Sequence, residues 1–484
     1  MHTGIFRARQ LTIFLFFLLS LSILLIRLFY IQAINYDFYY KIANEQHIVS
    51  AELPAKRGTI FDRNMQVLAV NLNTDSVFAN TRLIKDKKRA AQTLSEVLHM
   101  DEAVVYQKLS RDKGFIWIKR KITPEESVRL KDVKIKGIDV VKESKRFYPD
   151  ASLACHALGT VDIDNNGLEG LELLYNKYLK GENGWLISTQ DAKRKVLESY
   201  QDEFVRPKDG LNLVLTIDEV IQSIAERELY KAYKKHNAKG ASIVVMDPRT
   251  GAILALANLP SYDLNNTGNR PVEAIRDRAI NDFFEPGSIF KVVTASGLLE
   301  EKLVSIDDTF FCENGEWGIG RKILHDVHPY GELTFKQVIE KSSNIGTVKA
   351  ASRLGPAKMY KYIKEFGFLK KTGVDLPGEV VGLNRPPEKW SAVSMYAIPM
   401  GQEVTVTSMQ LACAISVIAN GGIYVKPRIV REIVDDAGQV VRDFTPVAER
   451  RVMSQQAAAT MRFILNGVVE NGTGKKAKIQ DYKV

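Results

Sequence analysis

The chain has 484 residues, 45% hydrophobic and 26% charged, with a formal net charge of +10. This composition excludes a disordered or low-complexity protein, and the length allows two or three domains, each with its own core. Lys and Arg are interleaved with Asp and Glu, without an aromatic stacking array or a nucleic-acid motif. No nucleic-acid partner is therefore expected, and a surface near anionic lipid or wall polymer accounts for the basic excess.

Leu11 to Ile26 reads LTIFLFFLLSLSILLI without a charge, and the apolar run resumes after Arg27 as LFYI. At about 1.5 Å per residue it spans roughly 30 Å, enough for a bilayer core. The length of the run, and the bulky IQAINYDFYY after it, favour a retained anchor over a cleaved leader. A transmembrane anchor is predicted over 11–32, with Arg27 reaching the interface and Tyr30, Tyr36 and Tyr39 forming a belt there. Arg7 and Arg9 make 1–10 a cytoplasmic tail of a single-pass protein in the cell (inner) membrane. Everything beyond the span then lies on the outer, periplasmic side.

Residues 33–205 mix short apolar runs with charge-rich helices such as Pro124–Val133 and contain no internal repeat. FVRPKDG (Phe204–Gly210) reads as a linker by its charge, Pro and Gly. Beyond it LNLVLTI alternates like a strand, and Thr216-Ile-Asp-Glu219 fits a capping box opening a helix to about His236. ASIVVM and AILALA flank the turn DPRTG as two strands. Helical patterns dominate from Ser288 to about Phe368. The class is α+β, with domains predicted over 33–205 and 210–484. Cys155, Cys312 and Cys413 are distant, odd in number and without metal-ligand spacing, so they are expected to be buried apolar thiols and no metal is expected.

In EPGSIFK, Pro286 and Gly287 break the chain and IFKVVTASGLLE continues with helical periodicity, placing Ser288 in a first helical turn. Residues i and i+3 share a face, so the Lys291 amine can reach the Ser288 hydroxyl. Burial and the positive helix end lower a lysine's pKa towards that of a base, and the Ser288 backbone N–H can help hold an oxyanion. By itself S-x-x-K is weak: Ser110-Arg-Asp-Lys113 has the same pattern and reads as surface. About fifty residues on, KSSNIG places Ser342 and Asn344 in a loop after a helix starting at Thr334 (TFKQ, another capping pattern). Ser342 can relay a proton and the Asn344 amide can hold a substrate amide. Standing alone, that triplet reads as a polar loop between helices.

EPGS-x-FK followed by SSN resembles the penicillin-binding protein and serine β-lactamase superfamily, whose signature is S-x-x-K, S-x-N and K-T-G. RGTIFDRNMQVLA (Arg57–Ala69), RFYP (Arg146–Pro149), GLEGLE (Gly167–Glu172) and MDPRTGAILALA (Met246–Ala257) narrow the resemblance to class B penicillin-binding proteins, over essentially the whole chain. The E-P-G-S form leans towards the cell-division type. The Arg, Asp and Arg of the first segment read as a surface ion network or, by the resemblance, as part of a pedestal, without a catalytic role.

Lys371-Thr372-Gly373 spells K-T-G, yet VDLPGE follows at once and Pro377 forbids a regular central strand. It is read as a decoy. The resemblance places the true motif on a cleft-lining strand just beyond GTGKKAKIQDYKV. The chain is therefore expected to be C-terminally incomplete at Val484, lacking a carboxylate anchor and half of an oxyanion hole.

The resemblance implies a peptidoglycan D,D-transpeptidase with an anchor, a pedestal (dimerisation) domain and a transpeptidase domain whose sheet is flanked by helices. Ser288 would be the nucleophile, Lys291 the base, Ser342 the relay and Asn344 the orienter. It implies no cofactor. The implied partners are stem peptides, β-lactams, membrane lipid and division proteins, including a lipid-linked glycan polymerase. Two rivals stand beside it: an acyl-serine hydrolase (D,D-carboxypeptidase or β-lactamase) and a catalytically inactive envelope scaffold.

Overall fold

The computed structural model describes residues 2–39, 48–190, 196–197, 203–268, 270–320 and 322–482; Val484 lies outside them. Two compact units result, Met1–Ala55 with Glu182–Lys208, and Lys56–Gly181 with Asp209–Val484.

In the first unit a helix runs His2–Phe29 and closes in a π-helical turn, Tyr30–Ile34. The segment Arg9–Ile34, of mean hydropathy 2.5, is long and apolar enough to cross a membrane. Arg27 sits over the Tyr30 ring at 5.4 Å, keeping its charge at the end of the apolar run. The strand Ile48–Leu53 pairs antiparallel with Gly184–Gln190, which also pairs with Glu203–Val205 and Val196–Leu197.

The second unit is built on a sheet of seven strands among the described residues. Its order is Val440–Asp443, Val430–Val434, Asn212–Leu215, Ile60–Phe61 and Val67–Ala79, with Ile116–Lys119 and Ile138–Phe147 both pairing to the last. Ile60–Phe61 lies parallel to Asn212–Leu215, whose four residues are all buried. Gly58 makes that approach possible, because a Cβ there would lie 1.9 Å from the Leu211 carbonyl oxygen. One end of the sheet carries its own small core, Val77, Leu94, Leu98, Val105, Leu109 and Ile118, under two helices, Lys87–Leu98 and Glu102–Ser110. The helix expected from Pro124 runs Pro124–Leu130, opened by a Thr123 capping box.

Three sequence segments meet at one buried carboxylate. Glu172 accepts from Arg57 Nε at 2.6 Å and from Arg146 Nε at 2.6 Å, with all three side chains 1% exposed or less. Arg57 also donates to the Asn165 carbonyl (2.9 Å) and Asn176 Oδ1 (2.8 Å), and Arg146 to the Gly58 carbonyl (2.8 Å). The expected surface ion network is corrected here: Arg57 and Asp62 are buried and only Arg63 is exposed. The Asp62 carboxylate receives the Asn64, Gln66 and Glu219 backbone N–H groups at 2.7, 2.8 and 3.1 Å.

The helix that follows the strand Asn212–Leu215 spans Glu219–Lys235, and its cap is Asp218 rather than Thr216. Thr216 is unavailable because its hydroxyl bonds the Ile253 and Arg428 carbonyls inside the core. This helix packs Ala225 and Leu229 on the hairpin Ala241–Met246 and Ile253–Leu259. The helix Ser408–Ala419 joins the same hairpin through Ser408 and Ser416, so a sheet lies between helices. At the centre of the remaining helices is Lys291–Glu300, buried from Lys291 to Leu298.

The stretch from Ser288 to Phe368 is less helical than its pattern suggests. Between the helices Lys291–Glu300 and Phe335–Glu340 lie four short strands: Thr309–Phe311, Glu316–Ile319, Lys322–His325 and Glu332–Thr334. They are three or four residues long, too short for an alternation to stand out.

Because removing one partner of a buried ion group leaves the others uncompensated, Glu172→Gln is expected to destabilise the folded chain by about 3–5 kcal/mol. Chemical denaturation of the detergent-solubilised chain checks this, and a loss below about 1 kcal/mol would show that the group is not closed to solvent.

Candidate active site

The turn carrying Ser288 is held from behind by a distant segment. Phe284 and Val406 exchange backbone hydrogen bonds at 3.0 and 2.9 Å, and the Gly287 N–H donates to the Gly401 carbonyl at 3.1 Å. Gly287 adopts φ +58°, and a Cβ on Gly401 would come within 2.2 Å of the Gly287 carbonyl oxygen. Gly401 therefore requires glycine, while at Gly287 a Cβ would have room and glycine spares the chain the strain of a left-handed backbone. Ser288 lies in a 3₁₀ turn, Gly287–Phe290, and the α-helix starts at Lys291. In 3₁₀ geometry residues three apart eclipse, so the same-face placement of Ser288 and Lys291 persists. Ser288 is exposed while Lys291 is 2% exposed.

The Lys291 amine faces three oxygens of one loop: the Ser342 carbonyl at 2.7 Å, the Ser342 hydroxyl at 3.0 Å and Asn344 Oδ1 at 2.8 Å. Burial pushes its pKa down to about 8, opposed by the nearby Asp326 carboxylate. Two of the three oxygens only accept. As an ammonium Lys291 donates to all three; once it loses a proton, its two remaining N–H groups keep the two acceptors and its lone pair can turn to a hydroxyl. Ser342 itself sits at φ +57°, a conformation costing roughly 1–2 kcal/mol for a residue with a Cβ. That backbone turns its carbonyl and its hydroxyl to the same amine.

Asp326 fixes the loop. Its carboxylate receives the Ser343 hydroxyl at 2.6 Å and the Asn344 and Ile345 N–H groups at 2.5 and 3.1 Å, at the start of the helix Asn344–Ala351. The neighbouring His325 carbonyl receives the Asn344 amide N–H at 2.8 Å, setting which end of that amide faces Lys291.

Of the four residues singled out, Lys291, Ser342 and Asn344 are directly hydrogen-bonded, and Ser288 stands one turn away with its hydroxyl outside the set that binds the amine. Asp326 and Gly401 escaped the sequence reading. A single Asp in HDVHPYGE and a single Gly in PMGQE carry no spacing signal. Lys371-Thr372-Gly373 forms a loop, as expected of a decoy: Thr372 is buried and both its N–H and hydroxyl bind Glu379 at 2.6 Å. Ser110 and Lys113 are exposed. The three cysteines are buried and unpaired, and burial pushes the Cys155 and Cys413 thiols up to about 12.

With this geometry in place, comparison with known proteins is decisive. Residues 241–484 match the penicillin binding protein transpeptidase domain and residues 52–215 the penicillin-binding protein dimerisation domain. The chain belongs to the class B penicillin-binding proteins. It is 34% identical to stage V sporulation protein D of Bacillus subtilis over 99% of this chain and 75% of that one. To the peptidoglycan D,D-transpeptidase FtsI of Escherichia coli K12 it is 30% identical, over 96% and 78%. The crystal structure of penicillin binding protein 3 from Mycobacterium tuberculosis complexed with aztreonam superposes with a TM-score of 0.67 at 28% identity, covering 89% of this chain and 80% of that one. This class B penicillin-binding protein thus has the expected α+β architecture of dimerisation and transpeptidase domains, behind a helix apolar enough for an anchor.

Between pH 8 and the ordinary lysine value of 10.5 the folded chain has released the Lys291 proton and the unfolded chain still holds it. Stability relative to a Lys291→Met variant is therefore expected to rise with pH across that window, by up to about 3 kcal/mol. Denaturant unfolding of both chains from pH 7 to 11 measures the difference, and a flat difference would mean that the amine is not held near 8.

Proposed function

We propose that this chain is a peptidoglycan D,D-transpeptidase of the cell-division type, with Ser288 as nucleophile. The observation that carries the reading is the buried Lys291 amine, shared by Ser342 and Asn344 one turn from an exposed serine. Ser288 Oγ attacks the carbonyl between the two terminal D-alanines of a stem peptide and gives its proton to neutral Lys291. Ser342 passes that proton to the leaving D-alanine nitrogen as the C–N bond breaks, leaving an ester on Ser288. The Asn344 amide orients the substrate backbone, and the Ser288 N–H stabilises the oxyanion. An amino group from a neighbouring stem then attacks the ester, forming the cross-link and returning the proton to Ser288. β-Lactams acylate the same oxygen because their ring amide mimics the scissile bond, in keeping with relatives that include a D,D-transpeptidase and an aztreonam complex.

The N-terminal helix anchors the chain with Arg7 and Arg9 in the cytoplasm and the catalytic part on the outer side, against membrane lipid. A pedestal over 33–205 carries a transpeptidase domain over 210–484, working with division proteins that include a lipid-linked glycan polymerase.

Labelling of the chain by a fluorescent penicillin is expected at Ser288, and Ser288→Ala is expected to abolish it; label on another residue, or persisting in the variant, overturns the assignment. The acylation rate should climb with pH along a limb near 8, since the reacting form is the neutral amine. Asp326→Asn removes the carboxylate that favours the charged amine and should move that limb to lower pH. Ser342→Ala should slow acylation by about 10²–10⁴, as stopped-flow labelling would report, and an unchanged rate would remove Ser342 from the proton path.

A further inference from the structure

A cavity of about 580 Å³ opens beside the Ser288 turn, and four charged side chains line it: Glu285, Glu403, Arg385 and Lys389. Its size falls within the roughly 300–1,000 Å³ of small-molecule sites. All four residues are exposed, so a ligand can reach them. The acidic end adjoins the catalytic turn. Glu285 lies three residues before Ser288, and Glu403 lies two residues after Gly401, whose carbonyl binds the Gly287 N–H. The Glu285 carboxylate receives the Glu403 N–H at 2.9 Å, and the Glu403 carboxylate receives the Ser394 hydroxyl at 2.7 Å. One oxygen of each, Oε2 of Glu285 and Oε1 of Glu403, is left without a protein donor among the described residues. Glu403 adopts φ +56°, a left-handed backbone that is costly for a residue with a Cβ.

The basic end belongs to the loop facing it. The Leu383 N–H donates to the Thr405 hydroxyl at 2.8 Å, the Thr405 N–H to the Leu383 carbonyl at 2.9 Å and the Asn384 amide to the Glu403 carbonyl at 3.2 Å, so the two walls are tied together. The Trp390 indole N–H is committed to the Arg385 carbonyl at 2.5 Å, which leaves its ring to line the cavity as an apolar surface. Among the described residues, Arg385 and Lys389 form no ion pair and no side-chain hydrogen bond, with these carboxylates or with any other. An anion alone would be drawn to the basic end and repelled by the acidic one, and a cation alone the reverse. A group that carries both charges gains at each end.

We propose that this cavity seats the acyl acceptor and selects one whose amino group and carboxylate share a carbon at the end of an aliphatic stem. The inference rests on the transpeptidase reading of Ser288. The acceptor carboxylate lies at Arg385 and Lys389, its ammonium at Glu285 and Glu403, and its stem on Trp390 and Leu383. The amine is thereby held beside the acyl-serine. There it gives one proton to water, its nitrogen bonds the acyl carbon, the C–O bond to Ser288 breaks and a second proton passes from nitrogen to the Ser288 oxygen.

The test uses the full chain in detergent at pH 7, with 2-aminobutyrate, propylammonium (the same molecule without the carboxylate) and butyrate (without the amine) as probes in saturation-transfer NMR. 2-Aminobutyrate is expected to bind at least about tenfold more tightly than either single-charge analogue. Replacing the two exposed cations together, Arg385→Gln with Lys389→Gln, should weaken 2-aminobutyrate and butyrate and spare propylammonium. Glu285→Gln should weaken 2-aminobutyrate and propylammonium and spare butyrate; should that variant not fold, the cation variant carries the test. Equal binding of the three probes, or variants that leave 2-aminobutyrate binding unchanged, overturns the inference. A peptide with the same head at the end of a side chain that binds more tightly identifies a neighbouring stem as the source, and one that binds no better identifies a free amino acid; both support the site. Penicillin labelling of the same chain separates the two readings. The crossed pattern without label at Ser288 supports the site and overturns the transpeptidase reading alone, and label at Ser288 without the crossed pattern overturns this inference alone.

Discussion

A lysine amine withdrawn from water must find oxygens, and the site of this protein is organised around that demand. Lys291 sits on the central helix, so its acceptors have to come from a neighbouring element. One loop supplies all three, at the cost of placing Ser342 in a left-handed conformation. Such strain persists only where its surroundings over-determine it. Here the determinants are Asp326, which binds the next three residues, Ser343, Asn344 and Ile345, and the Lys291 amine itself. The same burial that forces this arrangement lowers the amine's pKa. Structure and reactivity thus have one physical cause.

The frame around the site uses a second buried charge. Glu172 binds two arginines that lie more than a hundred and some twenty-five residues upstream, from segments whose backbones meet in the same sheet region. Buried ion groups often contribute little net stability compared with an apolar replacement, yet they are unforgiving of a missing partner. Three convergent side chains with donors also to Asn165, Asn176 and Gly58 leave few alternative ways to bring those segments together.

Much of this was legible in the sequence where chemistry depends on spacing. S-x-x-K and S-x-N fall three and two residues apart within elements, so Lys291, Ser342 and Asn344 could be named together, and Pro377 exposed the false K-T-G. What escaped depends on tertiary contact. Arg57 looked like a surface charge because nothing local reveals that Glu172 will reach it. Thr216 looked like a helix cap because its core partners, Ile253 and Arg428, lie far along the chain. The Glu316–Ile319 and Lys322–His325 hairpin was hidden by its short strands, and Asp326 went with it.

The sheet order also sets a timetable for biogenesis. Asn212–Leu215 pairs on one side with Ile60–Phe61 and on the other with Val430–Val434. During synthesis the first edge can close as soon as Leu215 emerges, while the second waits for Val434. At about 5–20 residues per second that interval is roughly 10–40 s. Through it, an apolar strand destined for complete burial presents open backbone donors and acceptors, the pattern that invites pairing with the wrong chain. A protein whose first and last thirds share one sheet cannot fold piecemeal behind the ribosome, and for that interval depends on being kept apart from its neighbours.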